Sequence, residues 1–153
     1  MIVLNYENAI NEIQRIVSIN RGDILQGIVD FLYANFDKYS WVGIYIVDGS
    51  DLILGSWKGV VATDHTTIPI GFGICGYAAK SGKTEVIGDV SKDNRYLSCF
   101  ASTRSEIVVP IKKRGVVVGE IDIDSDIIDA FTDSDISFLE KIAEIISTED
   151  VIK

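Results

Sequence analysis

Two cysteines, Cys75 and Cys99, and three acids at alternate positions, Glu120, Asp122 and Asp124, are the residues of this 153-residue chain best able to do chemistry. A thiolate is a nucleophile and a thiol pair can be oxidised, yet an ordinary cysteine, with a pKa of about 8.5, is only a few per cent ionised at neutral pH. The thiols read either as inert buried side chains or as redox chemistry, and composition does not choose. Acids at i, i+2 and i+4 of a strand share one face. Crowded together they suit a cationic group such as an ammonium. One of them held protonated could also deliver a proton to a weak leaving oxygen. The single histidine, His65, stands far in sequence from these acids. A catalytic zinc site usually wants more nitrogen or sulfur, so no metal is expected.

These side chains need a frame, and hydrophobic periodicity supplies one. Ala9, Ile10, Ile13, Ile16 and Val17 fall on one helical face behind a candidate cap, Asn5. Leu25, Ile28, Val29, Leu32, Tyr33 and Phe36 repeat the pattern behind Asp23. At 41–47 the period becomes two, and Asp48-Gly49-Ser50-Asp51 turns the chain into a second strand at 52–54. A polar loop over 58–67 follows. Gly71 and Gly73 then introduce a short helix over roughly 74–80, ended by Ser81-Gly82. A strand at 84–87 and a polar loop at 88–96 lead to strands over 106–111 and 116–124, which read as an antiparallel hairpin. The last helix presents Ile136, Leu139, Ile142, Ala143 and Ile146, and Thr132-Asp133-Ser134-Asp135 starts it as a capping box with Asp in place of Glu. The order predicts one α+β domain over 1–153 around a mostly antiparallel sheet.

Alternation assigns the sheet faces. Val42, Ile44 and Ile46, then Ile107, Val109 and Ile111, then Val117, Ile121 and Ile123 form apolar faces that belong under the long helices. The opposite faces carry Trp41, Gly43 and Tyr45, then Glu106 and Val108, then Glu120, Asp122 and Asp124. A solvated surface would explain the acids. It would not explain Trp41 and Tyr45, because large aromatics seek cover. A covered face with aromatics and convergent acids has the character of a small-molecule pocket.

Composition excludes other classes. A charge of −9 and a pI near 4.5 repel phosphate backbones and anionic lipid, so neither nucleic acid nor membrane is an expected partner. The chain is 47% hydrophobic and 24% charged, which excludes disorder. No apolar run nears the roughly 18 residues of a membrane span, and the N-terminus lacks a signal-peptide pattern. A cytoplasmic location is expected.

Four blocks of the sequence carry a family resemblance. The segment Ile68-Pro69-Ile70-Gly71-Phe72-Gly73-Ile74-Cys75-Gly76-Tyr77-Ala78-Ala79 resembles the Ile-Pro-x-Gly-x-Gly-x-Cys-Gly-x-Ala-Ala block of the free methionine-(R)-sulfoxide reductases, which are stand-alone GAF-domain enzymes. Cys99 followed by Ser105-Glu106-Ile107-Val108-Val109-Pro110 is similar to a second block, and Gly119-Glu120-Ile121-Asp122-Ile123-Asp124-Ser125 to a third, Gly-x-(Leu/Ile)-Asp-Ile-Asp-Ser. Trp41-Val42-Gly43-Ile44-Tyr45 is similar to the Trp-x-Gly-x-Tyr strand of the same family.

The resemblance implies a GAF-like fold, with long helices on one side of a central sheet and a lidded ligand pocket on the other. It implies that free methionine-(R)-sulfoxide is the substrate, that Cys99 attacks it, and that Glu106, Asp122 and Asp124 hold its polar ends while Trp41 and Tyr45 cradle its methyl. Cys75 would then close a disulfide with Cys99, and a thioredoxin or similar dithiol would reopen it, with no bound cofactor. Local reasoning points the other way on the cysteines: Cys75 sits in the first turn of a helix, whose dipole favours a thiolate, whereas Cys99 has only Arg95 and Arg104 nearby in sequence. Two positions depart from the family. His65 stands where a further cysteine is common, and Phe100 where an Asp often follows the attacking thiol. His65 is given no role. A GAF module that binds a small molecule without chemistry is the alternative, and the amphipathic helices could pair in a homodimer.

Overall fold

The computed structural model describes residues 5–19, 21–98 and 100–152. Helices α1 (Tyr6–Ile19) and α2 (Ile24–Asn35) open the chain, each capped as its sequence suggests. Asn5 accepts from the Asn8 amide at 2.7 Å, and Asp23 accepts from the Gln26 amide at 3.1 Å. Strands β1 (Trp41–Asp48), β2 (Asp51–Gly59) and β3 (Thr67–Pro69) follow, then helix α3 (Gly73–Ser81), with Gly82 in the left-handed region at its end. Strand β4 (Glu85–Ile87) leads through a 3₁₀ turn (Val90–Lys92) to β5 (Ser105–Lys113) and β6 (Val116–Ser125), and α4 (Asp133–Thr148) closes the fold. Among the described residues no helix is long and apolar enough to cross a membrane.

The six strands form one sheet in the order β3-β2-β1-β6-β5-β4, antiparallel at every junction. One face packs Val42, Ile44, Ile107, Val109, Ile121 and Ile123 against α1, α2 and α4. The other face is covered by α3. Two β-bulges explain where alternation misleads. Gly55 and Ser56 of β2 together oppose Ile44, which lets β2 run on to Gly59 through residues expected to begin a loop. Val118 of β6 is the extra residue between the pairs Ile111–Gly119 and Lys112–Val117. That bulge overturns the expected grouping of Val117 with Ile121 and Ile123: Val118 packs on the helix side, while Val117 joins the α3 side.

One polar knot ties α4 to the rest. The capping box at Thr132 and Asp135 is formed, and Asp135, fully buried, also accepts from Tyr39 at 2.6 Å, Tyr6 at 3.0 Å and Lys38 at 2.5 Å. Those donors outweigh burial and hold its carboxyl below its ordinary range. A lowered folded pKa contributes stability that is present above the unfolded value near 4 and lost as pH falls through the folded one. Asp135→Ala leaves the Lys38 ammonium half-buried and unpaired, with an expected loss of about 3–5 kcal/mol in urea unfolding at neutral pH.

Candidate functional site

Strand register builds the site in rows. On the α3 side of the sheet, Trp41, Asp124 and Glu106 lie side by side across β1, β6 and β5. The next row is Gly43, Asp122 and Val108, and the next is Tyr45, Glu120 and Pro110. The structure therefore brings together Trp41, Tyr45, Glu106, Asp122 and Asp124, all buried. Helix α3 lies over them and packs closely on the chain that leads into it: a Cβ on Gly76 would sit 2.6 Å from the Pro69 carbonyl oxygen. From this helix the Cys75 thiol donates to Glu106 Oε2 at a long 4.0 Å. Cys99 lies outside the described residues.

The acids are unusual in what they lack. Among the described residues both oxygens of Glu120, Oδ1 of Asp122 and Oδ1 of Asp124 have no hydrogen-bond partner. The other Asp124 oxygen accepts a long bond from Thr103 Oγ at 3.4 Å. Burial drives the carboxyls of Glu120, Asp122 and Asp124 up from the ordinary range, and the charge of Asp122 adds to the rise at Glu120 and Asp124. Protons are therefore retained here at pH values where exposed acids have lost theirs. The Cys75 thiol is raised as well, first by burial and then by Asp122, Glu120 and Glu106. This overturns the expectation of a helix-stabilised Cys75 thiolate.

Aromatic rings wall one end. Trp41 stacks on Trp57 at 6.3 Å between centroids and meets Phe100 at 5.8 Å. Phe100 thus closes over the expected aromatic wall. Gly43 is needed beneath it: an added Cβ would come within 2.3 Å of the Trp41 ring. Gly43→Ala is expected to displace Trp41, changing tryptophan fluorescence and costing about 1–3 kcal/mol of stability in thermal unfolding. At the other end Tyr45 donates its hydroxyl hydrogen to the His65 carbonyl at 2.7 Å. The His65 ring in turn donates from Nε2 to the Ser98 carbonyl at 3.2 Å, so His65 joins the loop after β2 to the segment before β5. Arg95 does not stand free to assist a thiolate. It pairs with Asp93 at 2.7 Å and Glu85 at 3.4 Å and lies 4.5 Å from the Tyr77 ring centroid.

The space is closed down. A cavity of about 10 Å³, the size of one water, is lined by Ile74, Cys75, Leu97, Glu106 and Asp122. Leu97 forms its cover, for a Cβ on Gly73 would strike the Leu97 side chain at 2.8 Å. A second cleft of about 90 Å³ opens beside Trp41, Phe100, Thr103 and Asp124. A larger cleft, about 460 Å³ beside Lys83, Lys112 and Glu140, touches none of these side chains.

A sheet with helices packed on one face and a short helix over a polar pocket on the other defines a GAF domain. The GAF domain family pattern matches residues 20–149, and the chain belongs to that family. The solved structure of fRMsr of Staphylococcus aureus in its reduced form is 36% identical, covers 95% of this chain and 94% of its own, and superposes with a TM-score of 0.88. The free methionine-R-sulfoxide reductase of Neisseria meningitidis, solved in complex with its substrate, is 32% identical, with 94% and 87% covered and a TM-score of 0.88. The protein of Saccharomyces cerevisiae named free methionine-R-sulfoxide reductase is 40% identical over 118 residues, 74% of this chain and 64% of its own length. Within the GAF family, the chain belongs with the free methionine-(R)-sulfoxide reductases.

Proposed function

We propose that this chain, acting as one GAF-like domain, reduces free L-methionine-(R)-sulfoxide to methionine with its two cysteines. The observation that carries the reading is the set of buried acids beside Trp41 and Tyr45 in a chain belonging with these reductases. The Cys99 thiolate attacks the substrate sulfur, and the protonated sulfoxide oxygen leaves as hydroxide from a Cys99–sulfonium intermediate. Hydroxide then attacks Cys99 Sγ and breaks the sulfur–sulfur bond, so methionine departs with that electron pair and Cys99 becomes a sulfenic acid. A carboxyl held protonated by burial, Asp122 or Asp124, is suited to supply the proton. The Cys75 thiol then displaces hydroxide from that sulfenic acid, its proton completes a water, and a Cys75–Cys99 disulfide results. A thioredoxin-like dithiol of the cytosol restores both thiols and leaves as its own disulfide.

The surroundings of Cys75 support the division of labour. A thiol kept protonated at rest is a poor first nucleophile and a stable reserve for the second step. Glu106, Asp122 and Asp124 suit the ammonium, while Trp41 and Tyr45 supply an apolar wall for the methyl. The test is direct. Incubation with methionine-(R)-sulfoxide and dithiothreitol is expected to release methionine over many turnovers. Saturable binding without any methionine would return the protein to the ligand-binding GAF modules.

A further inference from the structure

The proposed chemistry leaves one buried acid unexplained. Cys75 Sγ and one oxygen each of Glu106 and Asp122 lie within 4.8 Å of one another, and all three residues are buried. The charge of Glu120 bears on the same thiol, Glu120 is fully buried, and among the described residues neither of its oxygens is hydrogen-bonded. A single ammonium has three N–H donors, which the substrate would direct to Glu106, Asp122 and Asp124. Glu120 is not one of those three acids, and an orphaned buried polar group costs about 1–3 kcal/mol.

We propose that this pocket is also a site for a divalent cation, fitted to zinc, with Cys75, Glu106 and Asp122 as ligands and the Glu120 carboxyl as an outer partner beside the thiol, so that cation and substrate exclude each other. The sulfur selects a borderline-soft ion over magnesium or calcium, which take oxygen. Tetrahedral zinc, with bonds of about 2.3 Å to sulfur and 2.1 Å to oxygen, sets those two donors roughly 3.6 Å apart. The Cys75–Glu106 distance of 4.0 Å needs only a small contraction to meet that. Binding exchanges the thiol proton and the ligating carboxyl protons for the metal, so affinity rises with pH. The donors come from α3, β5 and β6, with no short ligand spacing in the sequence to announce them. Mutual exclusion rests on the sulfoxide reading, whereas the cation site rests on the donor geometry alone.

The test uses the reduced full-length chain and Co²⁺ as a spectroscopic probe. A thiolate-to-cobalt charge-transfer band is expected at one ion per chain, and Zn²⁺ should displace it. Cys75→Ser should remove the band and weaken Zn²⁺ at least about 100-fold, whereas Cys99→Ser should keep it. Glu120→Gln, nearly isosteric, should weaken Zn²⁺ about tenfold while circular dichroism stays unchanged. Absence of the band, Zn²⁺ binding only at millimolar concentration, or a band that survives Cys75→Ser would overturn the site. Methionine release is measured separately with a chelator present. Its failure would remove the reductase reading and leave the cobalt spectrum to decide the cation site.

Discussion

Reduced Cys99→Ser protein, given methionine-(R)-sulfoxide and no external thiol, is expected to release no methionine, while Cys75→Ser releases about one equivalent per chain. The difference follows from what each step consumes. Oxygen transfer needs a single sulfur nucleophile, and a serine hydroxyl at neutral pH cannot replace it. Sulfenic acid formation does not use the second thiol, so Cys75→Ser completes one cycle and stops. Its turnover with a protein dithiol should then collapse, because no internal disulfide forms, while small thiols that reach the sulfenic acid directly should restore much of it. The opposite pattern, with the burst surviving Cys99→Ser and lost in Cys75→Ser, would reverse the roles. Two local effects compete at Cys75. The dipole of a short helix is worth at most about 2 kcal/mol in favour of a thiolate. Against it stand full burial and the charges of Asp122, Glu120 and Glu106, and the thiol is raised.

The residues that alternate in sequence were legible because alternation and burial have one cause. Trp41, Tyr45, Glu106, Asp122 and Asp124 could be placed on one face from period two alone, and the register puts them in adjacent rows. The caps at Asn5, Asp23 and Thr132 were legible because their side chains act on amides three residues away. What stayed hidden depends on distant partners. Val117 was assigned to the wrong face because Val118 bulges against Ile111 and Lys112 of another strand. Phe100 looked like a lost carboxylate, yet it packs on Trp41. The tether between His65 and Ser98 joins loops whose meeting no periodicity encodes.

Asp122→Asn is expected to make the ligand-free protein more stable and the enzyme much worse. Burial raises the Asp122 carboxyl, so its folded pKa lies above the unfolded value near 4. Its contribution to stability is therefore full below that value and is lost as pH rises through the folded pKa. Asparagine cannot ionise, so the variant and the parent should unfold alike near pH 4 and diverge as pH rises. At neutral pH the variant should lead by about 1–3 kcal/mol, the scale of leaving a buried polar group unmatched. Activity should move the other way. A hydrogen bond to a charged group is worth about 1.5–3 kcal/mol, which predicts a KM for the free amino acid raised roughly 10- to 150-fold. The parent should reject N-acetylmethionine-(R)-sulfoxide, whose neutral amide leaves the acids unanswered, and the variant should discriminate less between the two substrates. A variant less stable than the parent at pH 7 would show that Asp122 is held by partners that offset its burial. An unchanged KM would move the ammonium away from this acid, leaving Glu106 and Asp124 to be tested in the same way.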